Sequence, residues 1–474
     1  MRNSMEKQNF NTPTIFVIFG VTGDLSQKKL IPALFDLFDQ GLLPDKFAVL
    51  GVAHSDYTDV SFRDEVQEIL CGVEHGHTRK TVAKFVAMCS YHRGSFEEPK
   101  MYDNIARKLQ KIDDAFGQCS NKLFHLAVAP RFYPTIVQQL SDTGLTEACS
   151  DETGWTRVLL EKPLGDSAQS AEELDQLLGK LFNESQVFRI DHYLGKGTIQ
   201  NILTFRFSNV LFEPVWNARY IEKVHIRLFE TVDVSGRGGF YDSVGALMDV
   251  GQNHMLQMLA TVAMEHPQTL NEKAIRTARA AVIDRLRAAP ESFVRGQYDG
   301  YHDVEGVADN SQTETFFRLR THIDDERWHD VPFFLESGKA LDEKKTEIAV
   351  TFKEAHPCLC PGLDHGKANT IVFSIQPEEK ISVRFLARGQ SFKQETEGKD
   401  LSFSYERKTA HEKIDAYEKI LHDAITGDQT LFRSSAEIDA AWKFIDPILE
   451  KWNDVPLVKY DKGTDAKNIT NSKQ

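Results

Sequence analysis

The chain has 474 residues, too many for one ordinary hydrophobic core, and two domains of roughly 150–250 residues each are expected. Its 41% hydrophobic content can fill both. A formal net charge of -14 excludes nucleic acid and anionic membrane as natural partners, since both demand a basic face. A few local lysines and histidines can still hold one phosphate. The opening segment MRNSMEKQNFNT is polar and lacks the apolar stretch of a signal peptide. The longest apolar runs, such as IFVIFG, are far shorter than a membrane span. Six cysteines in so long a chain make no disulfide framework, which points to a cytoplasmic, reduced protein. Cys358 and Cys360 form a CxC beside Pro361, a spacing open to metal binding or to a plain surface loop.

In chain order, Thr14–Phe19 is a short apolar run rich in β-formers and predicts a buried strand. Lys28–Phe38 follows with Leu30, Leu34, Leu37 and Phe38 on one helical face. Phe47–Val52, Lys122–Ala129 and Trp155–Glu161 predict further strands. Such alternation favours a parallel sheet with helices on both faces. The run SAEELDQLLGKLF predicts a helix, with Asp166 or Ser167 to cap its first amides. It leads into VFRIDHYLGK.

After that the period changes. Lys223–Phe229, Glu347–Lys353 and Thr370–Gln376 alternate apolar and polar residues, the pattern of an antiparallel sheet covered on one face. Ser243–Met264 reads as one long helix. Ile414, Tyr417, Leu421, Ala424 and Ile425 form a helical stripe that stops at Gly427. The last twenty residues are polar and predict a mobile tail. The fold class that results is α/β for a Rossmann-like dinucleotide-binding domain over 1–190. An α+β domain with a large, mainly antiparallel sheet follows over 191–474, for substrate binding and oligomerisation.

Six segments carry chemistry. The first strand ends in GVTGDL, Gly20 to Leu25, just before the first helix. Gly20 permits a tight turn, and Gly23 lets backbone amides approach a pyrophosphate at the helix N-terminus. The spacing is GxxG rather than GxGxxG, so in isolation the segment serves equally as a structural turn. At the end of the second strand an acid selects the ribose of NAD, and a cation selects the 2′-phosphate of NADP. His54 stands there, and histidine is only partly charged near neutral pH. Asp56 close by opposes a phosphate, so the signal is mixed.

RIDHYLGK packs Asp191, His192, Tyr193 and Lys196 together after a strand. A salt-bridged loop is the plain alternative to a phosphate cradle in which Lys196 supplies charge and His192 a donor. Asp249 and His254 lie on GALMDVGQNHMLQ. A histidine on such an apolar face is either a satisfied core residue or a base whose basicity a carboxylate raises. Lys162 in EKPLG ends a parallel strand, where α/β sheets bind ligands, and Pro163 can fix a cis turn there. Lys339 lies in ESGKAL, with Lys344 and Lys345 soon after.

The segments GVTGDLSQKKLIP, EKPLG, RIDHYLGK, GALMDVGQNH, VRGQY and SGKAL, closed by EIDAAWKFIDPIL, stand in this order. In that order the chain resembles the glucose-6-phosphate dehydrogenases, from about residue 14 to about residue 460. RIDHYLGK carries most of the specificity, and the glycine turn little. The resemblance implies oxidation of glucose 6-phosphate to its 1,5-lactone with NADP, or with NAD as the alternative. It implies His254 as the base for the anomeric hydroxyl, with Asp191 stabilising its charged form. His192 and Lys196 would hold the phosphate, with Tyr193 beside them in the substrate site. Glu230, Asp249, Lys339 and Lys344 would hold hydroxyls or phosphate, and Lys162 would lie between sugar and nicotinamide. Gly20, Thr22, Gly23, Asp24, Leu25 and His54 would hold the adenosine half of the cofactor. No metal is required, and a homodimer or homotetramer is implied.

Three positions depart from the family pattern. His54 replaces the usual arginine after the second strand. Glu336 precedes SGK where arginine is frequent, so no second, structural nucleotide is expected. The tail VKYDKGTDAKN lacks the usual tryptophan-containing ending. The competing functions are a dehydrogenase of another hexose 6-phosphate and, in a different class, a non-catalytic binding or regulatory relative.

Overall fold

The computed structural model describes residues 12–72, 78–149, 154–354, 369–388, 396–404 and 414–471. The Cys358–Cys360 pair lies outside them. The chain divides into two compact units. One comprises Met1–Gly195 with Arg407–Ile438, the other Lys196–Glu406 with Asp439–Gln474. A division into two contiguous segments at residue 190 therefore omits the return of 407–438 to the first unit.

The first sheet contains β1 (Thr14–Phe19), β2 (Phe47–Ala53), β3 (Cys89–Arg93), β4 (Asn121–Leu126), β5 (Thr156–Leu160) and β6 (Val187–Ile190). Their order is β6-β5-β4-β1-β2-β3, and all these pairs are parallel. Every residue of β1 is buried, as a strand covered on both faces must be, which is why TIFVIF shows no alternation. The chain reverses direction across the sheet between β1 and β4. At such a switch point the carboxyl ends of the strands open a crevice for a ligand. Ser167 caps the Ala168–Leu181 helix by accepting from the Ser170 amide at 3.2 Å.

One pairing in this unit is not legible in the cysteine count. Cys119 and Cys149 stand side by side in the arrangement of a disulfide, their Cα atoms 6.4 Å apart. Cys119 precedes β4 and Cys149 precedes β5, and the parallel pairing of those strands draws the two loops together. Spacing along the sequence does not reveal this.

The second sheet contains β7 (Ile221–Phe229), β8 (Leu286–Ala288), β9 (Val294–Tyr298), β10 (Phe316–Ile323), β11 (Phe333–Gly338), β12 (Lys345–Phe352), β13 (Thr370–Gln376), β14 (Lys380–Arg388) and β15 (Thr396–Ser404). Later in the chain β16 (Phe432–Arg433) pairs antiparallel with β6 in the first sheet, and β17 (Leu457–Tyr460) joins the second. The second sheet runs β15-β14-β13-β12-β7-β11-β10-β9-β17, with β8 on β10. Its pairs are antiparallel except β7–β11 and β9–β17. Ile226, Leu335, Ile348 and Phe373 are among the side chains fully buried on its covered face. Each contributes about 1.5–3 kcal/mol relative to exposure.

The long helix expected over Ser243–Met264 runs without a break from Gly245 to Ala263, but its first half winds as a π segment. A short helix spans Gly238–Asp242, a π segment Leu247–Met255, and an α-helix Leu256–Ala263. Gly245 at φ 72° separates the first two. The buried Glu314 carboxylate starts the π segment by accepting from the Leu247 amide at 2.9 Å. The tail is not free either. Tyr460 is buried in β17, and Ala466–Asn471 forms a helix that buries Ile469. Among the described residues no helix is long and apolar enough to cross a membrane.

Burial in the sheet pushes the His225 imidazole on β7 down to about 3, and Arg227, Arg318 and Lys223 add to the effect. The unfolded ring takes up its proton near 6.5, so acid favours the unfolded chain, which binds one more proton there. The contribution of the neutral ring is complete above 6.5 and is lost as pH falls from 6.5 towards 3, by up to about 1.4 kcal/mol per unit. His225→Gln is expected to flatten this slope. Urea melts at mildly alkaline and mildly acidic pH measure it, and parallel slopes for both proteins would refute the assignment.

Candidate active site

Gly20 ends β1 at φ 82°, a backbone shape that side chains resist. A Cβ there would stand 2.2 Å from the Ala127 carbonyl oxygen, so only glycine lets the turn lie against the loop after β4. The Gly20 amide donates to Val52 at 2.8 Å, and the Gly23 amide to Gly20 at 3.0 Å. Ser26 Oγ also donates to Gly20, at 3.0 Å. The chain then enters a helix that runs as a π segment over Ser26–Leu30 and as α over Ile31–Asp39. A glycine turn with no Cβ in its cradle, at a switch point and before a helix, fits a dinucleotide. Thr22 is half-buried, Leu25 partly covered, and Asp24 exposed in a pair with Lys28 at 2.8 Å.

Ser55 Oγ donates to Thr22 Oγ1 at 3.3 Å and ties the end of β2 to this turn. Tyr91 Oη donates to the carbonyls of Ala53 at 3.0 Å and Ser55 at 2.7 Å. His54 is exposed between those two anchored residues. The Asp56 carboxylate meets Arg93 Nη1 at 2.7 Å. Lys162 is half-buried just beyond β5, and its peptide bond to Pro163 is cis.

Beyond β6, Asp191 is buried and its Oδ1 accepts from the Tyr193 amide at 3.0 Å. That bond fixes the backbone through His192. The His192 ring lies 6.1 Å from Tyr417 and nearly parallel to it, at 12°. Tyr417 Oη donates to the Glu161 carboxylate at 3.3 Å, and His125 Nε2 meets the same carboxylate at 3.1 Å. Burial, with Glu161 beside it, pushes the Tyr417 phenol up and keeps it protonated. Tyr417, Glu161 and His125 thus back His192 from the interior. The sequence offered Tyr417 only as a core residue of a helical stripe, and Glu161 only as the neighbour of Lys162.

In the second unit Lys196 is half-buried at the start of the Gly197–Phe207 helix. Lys339 Nζ lies 2.5 Å from Glu230 Oε2 and 3.7 Å from Asp249 Oδ2, so the three expected ligands do meet. The ammonium stands 5.3 Å from the centre of the Tyr241 ring, a cation–π contact from a buried residue the sequence did not single out. Burial pushes the Tyr241 phenol well up, with Asp249 and Glu314 adding to it. His254 is only 2% exposed and shares the π segment with Asp249. Hydrogen bonds from i to i+5 put residues five apart one turn from each other, and such segments gather at functional sites. Lys344 is exposed before β12, and no contact joins it to the Lys339 cluster among the described residues. Glu336 is committed to Arg227 and Arg318, each at 3.2 Å.

Two family models account for most of the chain. Residues 17–201 match the glucose-6-phosphate dehydrogenase NAD binding domain, and residues 203–472 match the C-terminal domain of the same enzymes. The chain belongs to the glucose-6-phosphate dehydrogenase family.

Members of this family elsewhere agree over nearly full length. Glucose-6-phosphate 1-dehydrogenase 2 of Mycobacterium tuberculosis (strain ATCC 25618 / H37Rv) is 38% identical over 458 residues, 93% of this chain and 88% of the relative. Glucose-6-phosphate 1-dehydrogenase of Bacillus subtilis (strain 168) is 35% identical over 97% of this chain and 96% of that one. Among solved structures, a glucose-6-phosphate dehydrogenase in complex with its substrate glucose-6-phosphate superposes with a TM-score of 0.90. It has 31% identity and covers 98% of each chain. The enzyme from Mycobacterium avium gives 0.83 with 32% identity, over 96% of this chain and 95% of that one. These matches bear out the α/β dinucleotide-binding domain and the largely antiparallel second sheet.

Proposed function

We propose that the chain oxidises glucose 6-phosphate at C1 to the 1,5-lactone, with NADP as acceptor and NAD as the weaker alternative. The observation that carries this reading is the buried π segment of a glucose-6-phosphate dehydrogenase fold. It holds His254, while Asp249 on the same segment meets Lys339 and Glu230. Paired carboxylates around one ammonium suit a polyhydroxylated ligand, since they accept from hydroxyls while the ammonium donates to them. The bound nicotinamide supplies the hydride acceptor.

In this reading His254 removes the proton of the anomeric hydroxyl as the C1 hydride leaves, so the C1–O bond becomes the lactone carbonyl. Asp191 favours the protonated form of that base. Lys196 and His192 hold the phosphate with Tyr193 beside them, and the Tyr417 ring keeps His192 from turning away. Lys162 and Lys344 take the ligand roles that the family pattern assigns them. The exposed Leu401 and Phe403 on the terminal strand β15 support a homodimer or homotetramer.

The test is to supply the purified chain with glucose 6-phosphate, mannose 6-phosphate or glucose, each with NADP and with NAD. Reduction of NADP by glucose 6-phosphate above the others is expected. Equal rates with mannose 6-phosphate would favour the broader hexose enzyme, and no reduction with any pair would leave the non-catalytic reading. His54→Arg is expected to raise the NADP over NAD preference about fivefold, by placing a permanent charge at the end of β2. Initial rates with each cofactor check this, and an unchanged ratio would remove His54 from cofactor selection.

A further inference from the structure

The position after β2 carries His54, a side chain without the permanent charge of an arginine. A full charge stands one strand away. Arg93 ends β3 and is the Cα partner of Ala53, the last residue of β2. The Gly94 amide donates to the Ala53 carbonyl at 3.0 Å, so the two strand ends are stitched together where their side chains meet. Arg93 Nη1 binds Asp56 Oδ1 at 2.7 Å, which draws the guanidinium over the loop that holds His54 and Ser55. Through Ser55 and Thr22 this loop is in turn bonded to the glycine turn. Tyr91, two residues before Arg93, fixes the same loop by its two hydrogen bonds to Ala53 and Ser55.

We infer that Arg93, held by Asp56 beside His54, is the cation that recognises the 2′-phosphate of NADP. The charge missing after β2 is supplied from the end of its neighbour. The energetics permit the exchange. Arg93 and Asp56 are 59% and 86% exposed, and ion pairs that open to water are weak, so a phosphate can displace the carboxylate at little cost. A guanidinium then offers two parallel N–H groups to the phosphate, a geometry that a carboxylate partner has already oriented. Asp56, which by itself opposes a phosphate, holds Arg93 in place only until the phosphate displaces it. The inference rests on the reading of the glycine turn as a cofactor site.

The experiment uses two fragments of the cofactor on the full chain. Calorimetric titration with 2′,5′-ADP reports the 2′-phosphate contact, and titration with 5′-AMP reports the rest of the adenosine pocket. Wild type is expected to bind 2′,5′-ADP more tightly. Arg93→Ala is expected to weaken 2′,5′-ADP about tenfold with 5′-AMP unchanged, and Arg93→Lys to recover part of the loss, since lysine keeps the charge without the fork. The ratio of kcat/KM for NADP to that for NAD should fall by the same factor in Arg93→Ala. Unchanged 2′,5′-ADP affinity in Arg93→Ala would overturn the inference. So would an equal loss for both fragments, which marks a structural role. Wild type binding neither fragment would instead overturn the cofactor reading beneath it.

Discussion

His254→Asn is expected to lower kcat for glucose 6-phosphate about a thousand-fold, within the range that a positioned general base supplies, with little change in KM. Asparagine keeps a polar side chain of similar reach but cannot take the hydroxyl proton. The residue is almost wholly buried, so bulk water offers no replacement base at that point. The variant should also lose the acid limb of the pH–rate profile, since that limb reports protonation of the base. Thermal melts of both proteins separate this from misfolding, which matters because the π segment is bonded to Glu314 and most of its residues are buried. Near-normal turnover in a folded variant would remove His254 from the proton transfer.

Lys196→Gln is expected to raise KM for glucose 6-phosphate roughly 10–100-fold, the worth of one charge-assisted contact to a phosphate, with kcat changed far less. The phosphate lies away from the bond that breaks, so its contact holds ground state and transition state alike. Unphosphorylated glucose serves as the internal control, because the variant should treat it as wild type does. His192→Ala is expected to act in the same direction and more weakly, as it removes a donor but no permanent charge. Equal losses for glucose and glucose 6-phosphate would show that Lys196 shapes the site without meeting the phosphate.

Much of the fold is legible in the sequence because its elements are locally determined. β1 and β13 lie over the residues their apolar patterns mark, and Gly427 ends its helix in the left-handed shape that glycine permits. The glycine turn and Asp191 are legible in position, since each sits where a strand pattern stops, whereas Lys339 stands out only through the segment SGKAL. What is not legible depends on pairing across the chain. The return of 414–438, and with it Tyr417 behind His192, rests on the β16–β6 contact of two residues, too short to mark a strand, and on distant side-chain bonds such as Arg157 to the Ala424 and Ile425 carbonyls. The π winding around His254 is invisible to the apolar period, which reads the stretch as α-helix, and the Glu314 carboxylate at its start comes from a distant loop. Cys119 and Cys149 meet only because β4 and β5 pair. Tyr460 and Ile469 are buried although the tail around them is polar, for two apolar anchors suffice to dock a strand and a short helix. Arg93 has no motif at all. Its meaning comes from register, Ala53 against Arg93, and from the Asp56 carboxylate that the sequence shows only as an obstacle.

The central claim is that this dehydrogenase acts on a phosphorylated sugar, and one comparison tests it most directly. Initial rates with NADP should be measured for glucose 6-phosphate and for glucose across a full concentration range. Two or three charge-assisted contacts to the phosphate predict a kcat/KM at least about a thousand-fold higher for glucose 6-phosphate. Equal values for the two sugars would contradict the account, because nothing would then be holding the phosphate.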